Sequence, residues 1–461
     1  MEGIFRLPAS AFAVPFADAA YDYVVVGGGT SGLAIAARLA KTASVAVVEA
    51  GGIYQIDNGN QSVVPAYAFT QGFTSADPLR PGKTLGGSSV INNMAYHRAT
   101  VGYHDKWAEL VGDESYGFNE VLPYFKQSTH HNLPDNAKRA MPNATVTYNA
   151  CVFGDGPIEI SYSNHVDPRS HGQCSGHLAG YGAWNVATMT ADAKRSSGQD
   201  YLVHAIKTTN LMAYPHTQVT KILFDAGRAT GVTVKTAGID YTISANKEVI
   251  VSAGAFHTPQ LLMVSGVGPS ETLEALDIPV VADLPGVGQN LQDQIFFDVM
   301  YGISVSTSSL STFSFEGAEI ARRHDSMFDQ PIIDLGWLSD PADAEVAVAI
   351  FKRARAAWET SSLGSIKATP ELVPGAAVST DEDILNYIKG GARPIWHASG
   401  TCKMGKADDE LAVVDSKARV YGVEGLRVVD ASVLPIIMPG HPMGTLYMLA
   451  EKIAAEIQAE A

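Results

Sequence analysis

Three glycines and one acidic residue near the start of the chain have the types and spacing that suit a dinucleotide. Gly27, Gly29 and Gly32 follow the pattern G-x-G-x-x-G, and Glu49 lies 22 residues after Gly27. In this pattern the first glycine permits a tight turn, the second lets backbone approach a pyrophosphate, and the third lets a helix pack closely on a strand. A carboxylate such as that of Glu49 accepts hydrogen bonds from ribose hydroxyls.

The elements that would position these residues are also present. Residues 22–26 (DYVVV) form a β-branched run typical of a strand buried on both faces. An alanine-rich segment at 33–40 predicts a helix, and residues 44–48 predict a second strand that ends on Glu49. The helix would direct its positive dipole end toward the phosphates. Together these elements indicate a complete βαβ unit with a dinucleotide site, which is stronger support than a lone glycine pattern.

A second glycine-rich stretch, residues 81–98, reads PGKTLGGSSVINNMAYHR. It combines bare backbone with small donors, a composition that suits a loop wrapped around a polyanion or a flat polar ring. Apolar pairs within it indicate that it is buried rather than an ordinary surface loop.

Two histidines in the last quarter of the chain are candidates for acid–base chemistry. His397 lies in WHASGTCKMG, and His441 comes 44 residues later, directly before a helix predicted over 442–458. A neutral imidazole within hydrogen-bond reach takes the proton of a reacting hydroxyl. Either histidine alone would more often be structural, and His441 has the alternative of a helix cap. The surrounding motifs reverse that preference.

Composition excludes several classes of protein. The 461 residues are 46% hydrophobic and 17% charged, so the chain is globular rather than disordered, and its length suggests two or three structural units. The net charge of −16 disfavours nucleic acid and anionic membranes as partners. No apolar run is long enough to cross a membrane. The three cysteines fit no zinc site; Cys151 and Cys174 would pair only in an oxidising compartment, and free thiols are an equal alternative.

The rest of the chain carries weaker signals. We expect irregular structure over about 130–197, a meander of strands over 210–248 and a buried strand at 247–253. A helix follows, with Thr258 as its N-cap and Pro259 at its first position. Further along, we expect a strand at 331–335 and a helix within 342–359. The serine-rich run near 304–315 predicts an exposed loop or lid.

These blocks together resemble the glucose–methanol–choline (GMC) family of FAD-dependent oxidoreductases. The matching pieces are 21–52, 82–98, 252–269 (SAGAFHTPQLLMVSGVGP), 284–293 (LPGVGQNLQD) and 397–456, in the family's order. The resemblance implies an α/β fold with a Rossmann-like FAD-binding domain and a second, smaller α+β substrate domain with an antiparallel sheet. It implies a tail at 1–20, an FAD-binding domain formed by 21–129, 210–293 and 400–461, and a shortened substrate domain formed by 130–209 and 294–399.

The resemblance also implies roles for individual residues. His397 matches the catalytic base and His441 the second polar residue of the active site. The residues expected to contact FAD are Gly27, Gly29, Thr30, Ser31, Gly32, Glu49, Ala50, Gly86, Ser88, Asn92, Asn93, Met94, Ala95, Val219, Asp430, Ala431, Pro442 and Met443.

The activity implied is oxidation of a small-molecule alcohol, with the proton passing to His397 and the hydride to flavin N5. Two alternatives stay open: a non-redox lyase or cyclase that retains FAD, and an inactive flavin-binding remnant. The partners would be the alcohol and an electron acceptor, oxygen or another. The substrate is expected to be a moderately polar or aromatic metabolite, of the kind made in secondary metabolism.

The sequence departs from the family in two places. Ile91 stands where some members carry a histidine that bonds FAD covalently, so non-covalent FAD is expected. Only 103 residues separate Gln292 from Trp396, fewer than is usual in the family. Two alternatives stay open: a smaller substrate domain with an open active site, or a sequence that is truncated internally. The broken apolar stretch of the first 20 residues makes a poor signal peptide, and localisation and oligomeric state stay open.

Overall fold

The computed structural model describes residues 7–57, 59–63, 82–133, 150–162, 186–304, 326–327 and 333–460. By their contacts the residues form two compact units. The large unit comprises Met1–Gln292, Gly317–Ile332 and Ala398–Ala461, and the small unit comprises Asp293–Glu316 and Ile333–His397. Residues 130–162 and 186–209, which the sequence assigns to the substrate domain, belong to the large unit. The division into FAD-binding and substrate domains stays a prediction.

The large unit is built on one seven-stranded sheet. The strands of the large unit are β1 (Ala19–Val26), β2 (Val45–Val48), β3 (Gly52–Ile53), β4 (Thr84–Leu85), β5 (Thr129–His131), β6 (Ile158–Tyr162), β7 (Val186–Thr188), β8 (Met212–Tyr214), β9 (Thr217–Asp225), β10 (Arg228–Thr236), β11 (Ile239–Val251), β12 (Val267–Gly268), β13 (Ala282–Asp283) and β18 (Leu426–Val428). The order of strands in the seven-stranded sheet is β8-β2-β1-β11-β10-β9, and β18 pairs with β11.

The predicted βαβ unit is confirmed. β1 pairs in parallel with β2 on one side and with β11 on the other, and Val24, Val25, Val45 and Val47 are fully buried. β11 begins as the last strand of the meander, antiparallel to β10, and ends parallel to β1 and β18. The predicted meander of strands over 210–248 and buried strand at 247–253 are therefore continuous. The start of the predicted meander forms a separate short strand, β8, which pairs in parallel with β2.

The helices are α1 (Thr30–Leu39), α2 (Tyr54–Asp57), α3 (Asn60–Val63), α4 (Val101–Val111), α5 (Phe118–Ser128), α6 (Gln199–Ala205), α7 (Gly254–Val264), α8 (Ser270–Glu274), α9 (Pro341–Trp358), α10 (Ser361–Gly364), α11 (Asp381–Gly391) and α12 (Met443–Glu460). The predictions of α1, α9 and α12 are confirmed to within a few residues. Ile333–Leu335, at the end of the predicted strand at 331–335, is not strand.

α7 begins earlier than predicted, and Thr258 is not its N-cap. The helix starts at Gly254, so Pro259 lies inside it. Proline cannot donate to the carbonyl four residues before it. That carbonyl, of Ala255, accepts instead from Thr401 Oγ1 at 2.5 Å, so the acceptor that the interior proline leaves without its helical donor is satisfied.

A buried ion pair joins three helices of the large unit. Arg38 of α1 donates from Nε and Nη2 to the two carboxylate oxygens of Glu451 in α12, both at 2.7 Å. Tyr201 of α6 donates its hydroxyl to the same carboxylate at 2.7 Å. The Glu451 side chain has no exposed surface, so the geometry of the pair is fixed by packing as well as by charge.

The small unit has its own apolar cluster. α9 packs on α11 through Ala347, Val348, Phe351, Ile384 and Ile388. Two short antiparallel pairs accompany them: β14 (Ile295–Phe296) with β17 (Arg393–Pro394), and β15 (Met300–Ile303) with β16 (Lys367–Val373).

Several sequence expectations fall outside the described residues. These are the Cys151–Cys174 pairing, because Cys174 lies within 163–185, and the serine-rich run beyond residue 304. Within the part of the chain that the structure describes, no helix is both long and apolar enough to span a membrane.

Replacing Glu451 by glutamine tests the ion pair between α1 and α12. The substitution keeps the shape of the side chain but leaves the largely buried Arg38 without its counter-ion, and we expect about 3 kcal/mol of destabilisation. Tyr201→Phe removes only one hydrogen bond to the carboxylate and should cost about 1.5–3 kcal/mol. Urea unfolding followed by circular dichroism measures both. An unchanged midpoint for Glu451→Gln would contradict this role.

Candidate functional site

The glycines of the first βα turn fall into two groups, according to what a side chain would meet at each position. A Cβ on Gly27, whose φ is +101°, would lie 2.3 Å from the Ser252 carbonyl oxygen, and a Cβ on Gly32 would lie 1.9 Å from the Gly27 carbonyl oxygen. At both positions glycine is required because neighbouring backbone leaves no room for a side chain. At Gly29 a Cβ would meet only Gly87 Cα, at 3.9 Å. The fold therefore leaves space at Gly29, which suits the close approach of a ligand.

Glu49 follows β2 and is buried at the same end of the sheet. Its Oε2 accepts from the Gly28 N–H and its Oε1 from the Gly51 N–H, both at 2.8 Å. Burial raises the pKa of Glu49, and the two backbone donors oppose that shift. Each oxygen of an ionised carboxylate has a further acceptor site, so the side chain can still accept from a pair of hydroxyls.

The second glycine-rich stretch crosses the glycine turn that follows β1, and the two segments meet at glycines. The Gly86 N–H donates to the Gly28 carbonyl at 2.7 Å. Gly87 has a φ of +56°, and a Cβ there would lie 2.6 Å from Gly29 Cα. Ser88 is exposed beside this crossing and its Oγ accepts from the Gly82 N–H at 3.2 Å. The two glycine-rich segments therefore meet at the first turn of α1.

Asn92 is held by a residue that the sequence analysis did not single out. Arg195 donates from Nη1 to Asn92 Oδ1 at 2.8 Å and to the Ser89 carbonyl at 3.1 Å, and from Nε to the Ser62 carbonyl. Arg195 is only 3% exposed, and burial lowers its pKa to about 10. The one sequence feature that could have indicated Arg195 is the run Arg195–Gly198 (RSSG), which combines a cation, two hydroxyls and a glycine within an irregular polar segment.

The N-terminus of α12 lies beside that of α1. Ser31 Oγ donates to the Leu446 carbonyl at 3.5 Å, and Asn92 Nδ2 donates to the Met443 sulfur at 3.2 Å. Pro442 and Thr30 are half-buried at the two helix starts. Two positive dipole ends thus face the same region, which favours a negatively charged ligand there.

The Asp430 carboxylate is hydrogen-bonded within the protein through both of its oxygens. One carboxylate oxygen accepts from the Gly254 N–H at 2.8 Å and Thr258 Oγ1 at 2.5 Å; the other accepts from the N–H and Oγ of Ser432. Burial raises its pKa, and these hydrogen bonds oppose the shift. The carboxylate joins β18, α7 and the 3-10 turn Ala431–Val433, so a ligand contact at Asp430 would fall to its backbone.

The other predicted contacts lie on these segments. Met94 is buried with a φ of +59°, and its carbonyl accepts from the Thr188 N–H at 2.9 Å. Val219 is buried in β9, which ends the sheet order. Ala50 and Ala95 are half-buried, and Asn93 is exposed. The role of each in holding a cofactor stays a prediction.

His397 is the last residue of the small unit and is held by two neighbours in the loop at 293–294. Its backbone N–H donates to Asp293 Oδ1 at 2.9 Å, and its Nδ1 lies 2.6 Å from Gln294 Oε1. Because an amide oxygen only accepts, Nδ1 donates this hydrogen bond, and in the neutral ring Nε2 then carries the lone pair. Trp396 before it has a φ of +61°, in the left-handed region that bulky residues rarely adopt. Burial raises the pKa of Asp293 to about 6.

His441 lies in the large unit, two residues before the start of α12. Burial, together with the neighbouring His97, lowers its pKa to about 4. The two rings meet edge-on with centroids 5.6 Å apart. His441 is therefore neutral at physiological pH, and it can orient a hydroxyl without adding charge.

The described residues of the large unit fit FAD. The open position at Gly29 and the helix starts at Thr30 and Met443 suit a diphosphate, and Glu49 suits a ribose. The Gly86–Ala95 segment would pass alongside the flavin. Among the described residues no cluster of His, Cys, Asp and Glu could hold a metal ion.

A glycine-rich βαβ turn, an acid after the second strand and a second glycine-rich loop at the same sheet edge define an FAD-binding oxidoreductase fold. Two family models described as GMC oxidoreductase match the chain, one over residues 21–296 and the other over 318–450. The protein belongs to the GMC oxidoreductase family. The predicted family and fold class are confirmed.

Known relatives agree with the family assignment, and a solved structure agrees with the fold. Dehydrogenase pkfF of Emericella nidulans is 38% identical over 95% of this chain and 93% of its own. Versicolorin B synthase of Aspergillus parasiticus is 37% identical over 95% of this chain and 88% of its own. The structure of an FAD-dependent oxidoreductase from Chaetomium thermophilum superposes with a TM-score of 0.82 over 95% of this chain and 99% of that one, at 24% identity.

The alignments also show that this chain lacks internal residues. The match to the Emericella dehydrogenase spans 573 positions, 112 more than the 461 residues of this chain. At least that many positions of the alignment therefore have no counterpart here. The assignment of the shortfall to residues 294–395 stays a prediction.

Two glycine substitutions separate cofactor binding from folding. Gly29 has a φ of −84° and space for a Cβ, so Gly29→Ala should fold with a stability within about 1 kcal/mol of wild type and bind FAD more weakly. Gly32→Ala meets the Gly27 carbonyl and should lower both stability and FAD content. Thermal unfolding of the apoprotein and flavin titration by fluorescence quenching measure the two effects. Unchanged FAD affinity in Gly29→Ala would show that no ligand approaches there.

Proposed function

We propose that the protein is an FAD-dependent oxidase or dehydrogenase that converts a small-molecule alcohol to an aldehyde or ketone. The observation that carries the proposal is the 2.6 Å contact between His397 Nδ1 and Gln294 Oε1. This contact selects the tautomer in which Nε2 is a base. A histidine in this state, within a GMC oxidoreductase, suits removal of a hydroxyl proton.

The roles of the residues follow from their charge states. His397 Nε2 would accept the hydroxyl proton, and the Gln294 oxygen would stabilise the imidazolium through its hydrogen bond to Nδ1. Asp293 would keep the His397 backbone in place. His441, neutral above about pH 4, would orient the substrate oxygen. Bound FAD would supply the hydride acceptor, and the adjacent start of α12 would favour negative charge on the reduced ring.

We propose that FAD is bound non-covalently. The histidine that bonds FAD in some family members is replaced here by Ile91, whose side chain has no nucleophilic atom. Acid precipitation of the holoenzyme should therefore release all of the flavin into the supernatant.

The substrate is proposed to be a moderately polar or aromatic metabolite of secondary metabolism. The names of the relatives support this class, since one of them is a versicolorin B synthase. The final electron acceptor is oxygen or another oxidant, and oxygen consumption during turnover distinguishes them.

A second function is favoured by one observation. A relative of 37% identity is named a synthase rather than an oxidase or dehydrogenase. In a non-redox lyase or cyclase, His397 would act as an acid–base catalyst and the flavin would stay oxidised. Product formed under anaerobic conditions without flavin bleaching would favour this function. If no alcohol gave either product or flavin bleaching, that result would favour an inactive flavin-binding protein.

Replacing His397 tests the proposed base. His397→Ala should slow anaerobic flavin reduction by about 100- to 10,000-fold and leave FAD bound, because the base acts on the hydroxyl proton and not on the cofactor. His130→Ala, which removes a half-exposed imidazole from β5, is the matched control and should reduce at the wild-type rate. Stopped-flow absorbance of the flavin band measures both. Normal reduction by His397→Ala would show that another group is the base.

Replacing Gln294 tests the tautomer. Gln294→Leu removes the acceptor for the Nδ1 proton, and we expect flavin reduction to slow by at least about tenfold. Gln294→Glu retains an acceptor oxygen at the same position and should reduce faster than Gln294→Leu. Equal rates for the two variants would contradict a role for this hydrogen bond.

A further inference from the structure

His97 links the end of the second glycine-rich stretch to the turn that carries His441. Its Nδ1 lies 3.2 Å from the Arg98 carbonyl oxygen, and the His441 backbone N–H donates to its Nε2 at 2.6 Å. A carbonyl only accepts, so Nδ1 carries the proton and Nε2 the lone pair. Both ring nitrogens therefore bond to main chain, one to its own segment and one to the segment before α12.

The turn before α12 is shaped to receive this ring. Gly440 has a φ of +93°, and a Cβ there would lie 2.3 Å from His97 Nε2 and Cε1. A Cβ on Gly444, in the first turn of α12, would lie 2.6 Å from the His97 carbonyl oxygen. Glycines on both sides of His441 thus allow His97 to pack directly against the backbone on which His441 stands.

The charge state of His97 suits this contact. His97 is 7% exposed, and burial lowers its pKa. The neutral ring keeps the lone pair that the His441 N–H needs, whereas a protonated ring would offer only donors. Since the bond is to the backbone N–H, it fixes where the His441 Cα lies and where the first turn of α12 begins.

We propose that His97 is a positioning residue that sets the backbone of His441 and, through it, the placement of the His441 imidazole toward substrate. This inference rests on the proposed function, because it gives His441 its role. His97 would make no contact with the reacting atoms.

The two amide substitutions of His97 separate its two hydrogen bonds. The amide nitrogen of asparagine reaches the position of Nδ1, so His97→Asn keeps the donor to the Arg98 carbonyl and loses the acceptor for His441. The oxygen of glutamine reaches the position of Nε2, so His97→Gln keeps an acceptor for the His441 N–H. His104→Asn is a control for the loss of a buried histidine, because His104 is fully buried and its Nδ1 bonds the Tyr116 carbonyl.

Hydrogen–deuterium exchange of the holoenzyme gives the readout that does not depend on turnover. We expect peptides covering residues 439–446 to exchange faster in His97→Asn than in wild type, and at nearly the wild-type rate in His97→Gln and His104→Asn. With an alcohol that reduces the wild-type flavin, His97→Asn should reduce about 100-fold more slowly, the scale of a misplacement of about 1 Å. His97→Gln should stay within about tenfold of wild type.

The outcomes distinguish this inference from the proposed function. Equal exchange of 439–446 in all variants overturns the positioning role, whatever the activity. Faster exchange in His97→Asn, with a reduction rate equal to that of wild type, also overturns it. If no alcohol bleaches the wild-type flavin, the proposed function fails, while the exchange experiment still decides whether His97 holds the turn.

Discussion

The close approach of backbone segments at one end of the central sheet is the constraint on which the rest of the structure depends. Gly27 lies against the Ser252 carbonyl, Gly32 against the Gly27 carbonyl, and Gly87 against Gly29. A side chain at Gly27, Gly32 or Gly87 would push strand, helix and loop apart. Because these residues have none, α1 begins directly beneath the second glycine-rich loop, and backbone N–H groups collect where a diphosphate would bind.

Buried polar side chains then hold the segments that surround this crossing. Asp430 joins the ends of β18 and α7, Arg195 supports Asn92, and His97 holds the turn before α12. Each of them bonds chiefly to main chain or to loop side chains. A side chain that satisfies loop backbone in the interior fixes a conformation that regular secondary structure does not provide. These side chains therefore fix the backbone around the glycine crossing, and they can do so without contacting a ligand themselves.

The parts of the fold that local patterns specify could be predicted from the sequence. The β-branched run of β1, the glycine turn and α1 are adjacent in the chain, and their order defines the βαβ unit. The start of α7 could not be predicted, because the carbonyl freed by the interior Pro259 is satisfied by Thr401, which is 142 residues away from that proline. Likewise nothing in the sequence around Gln294 indicates that its amide would meet His397, since 103 positions separate them. Contacts between distant segments determine how these residues are positioned, and local residue patterns do not predict such contacts.

The central claim is that hydride leaves an alcohol carbon while the hydroxyl proton passes to His397. The most direct test compares an alcohol that bleaches the flavin with the same alcohol carrying deuterium on the carbinol carbon. Both are mixed anaerobically with the holoenzyme, and the flavin absorbance is followed in a single turnover. Our account predicts that one flavin is bleached per alcohol oxidised, and that bleaching is slower with the deuterated substrate. Product that forms while the flavin stays oxidised, at the same rate with either isotope, would contradict it.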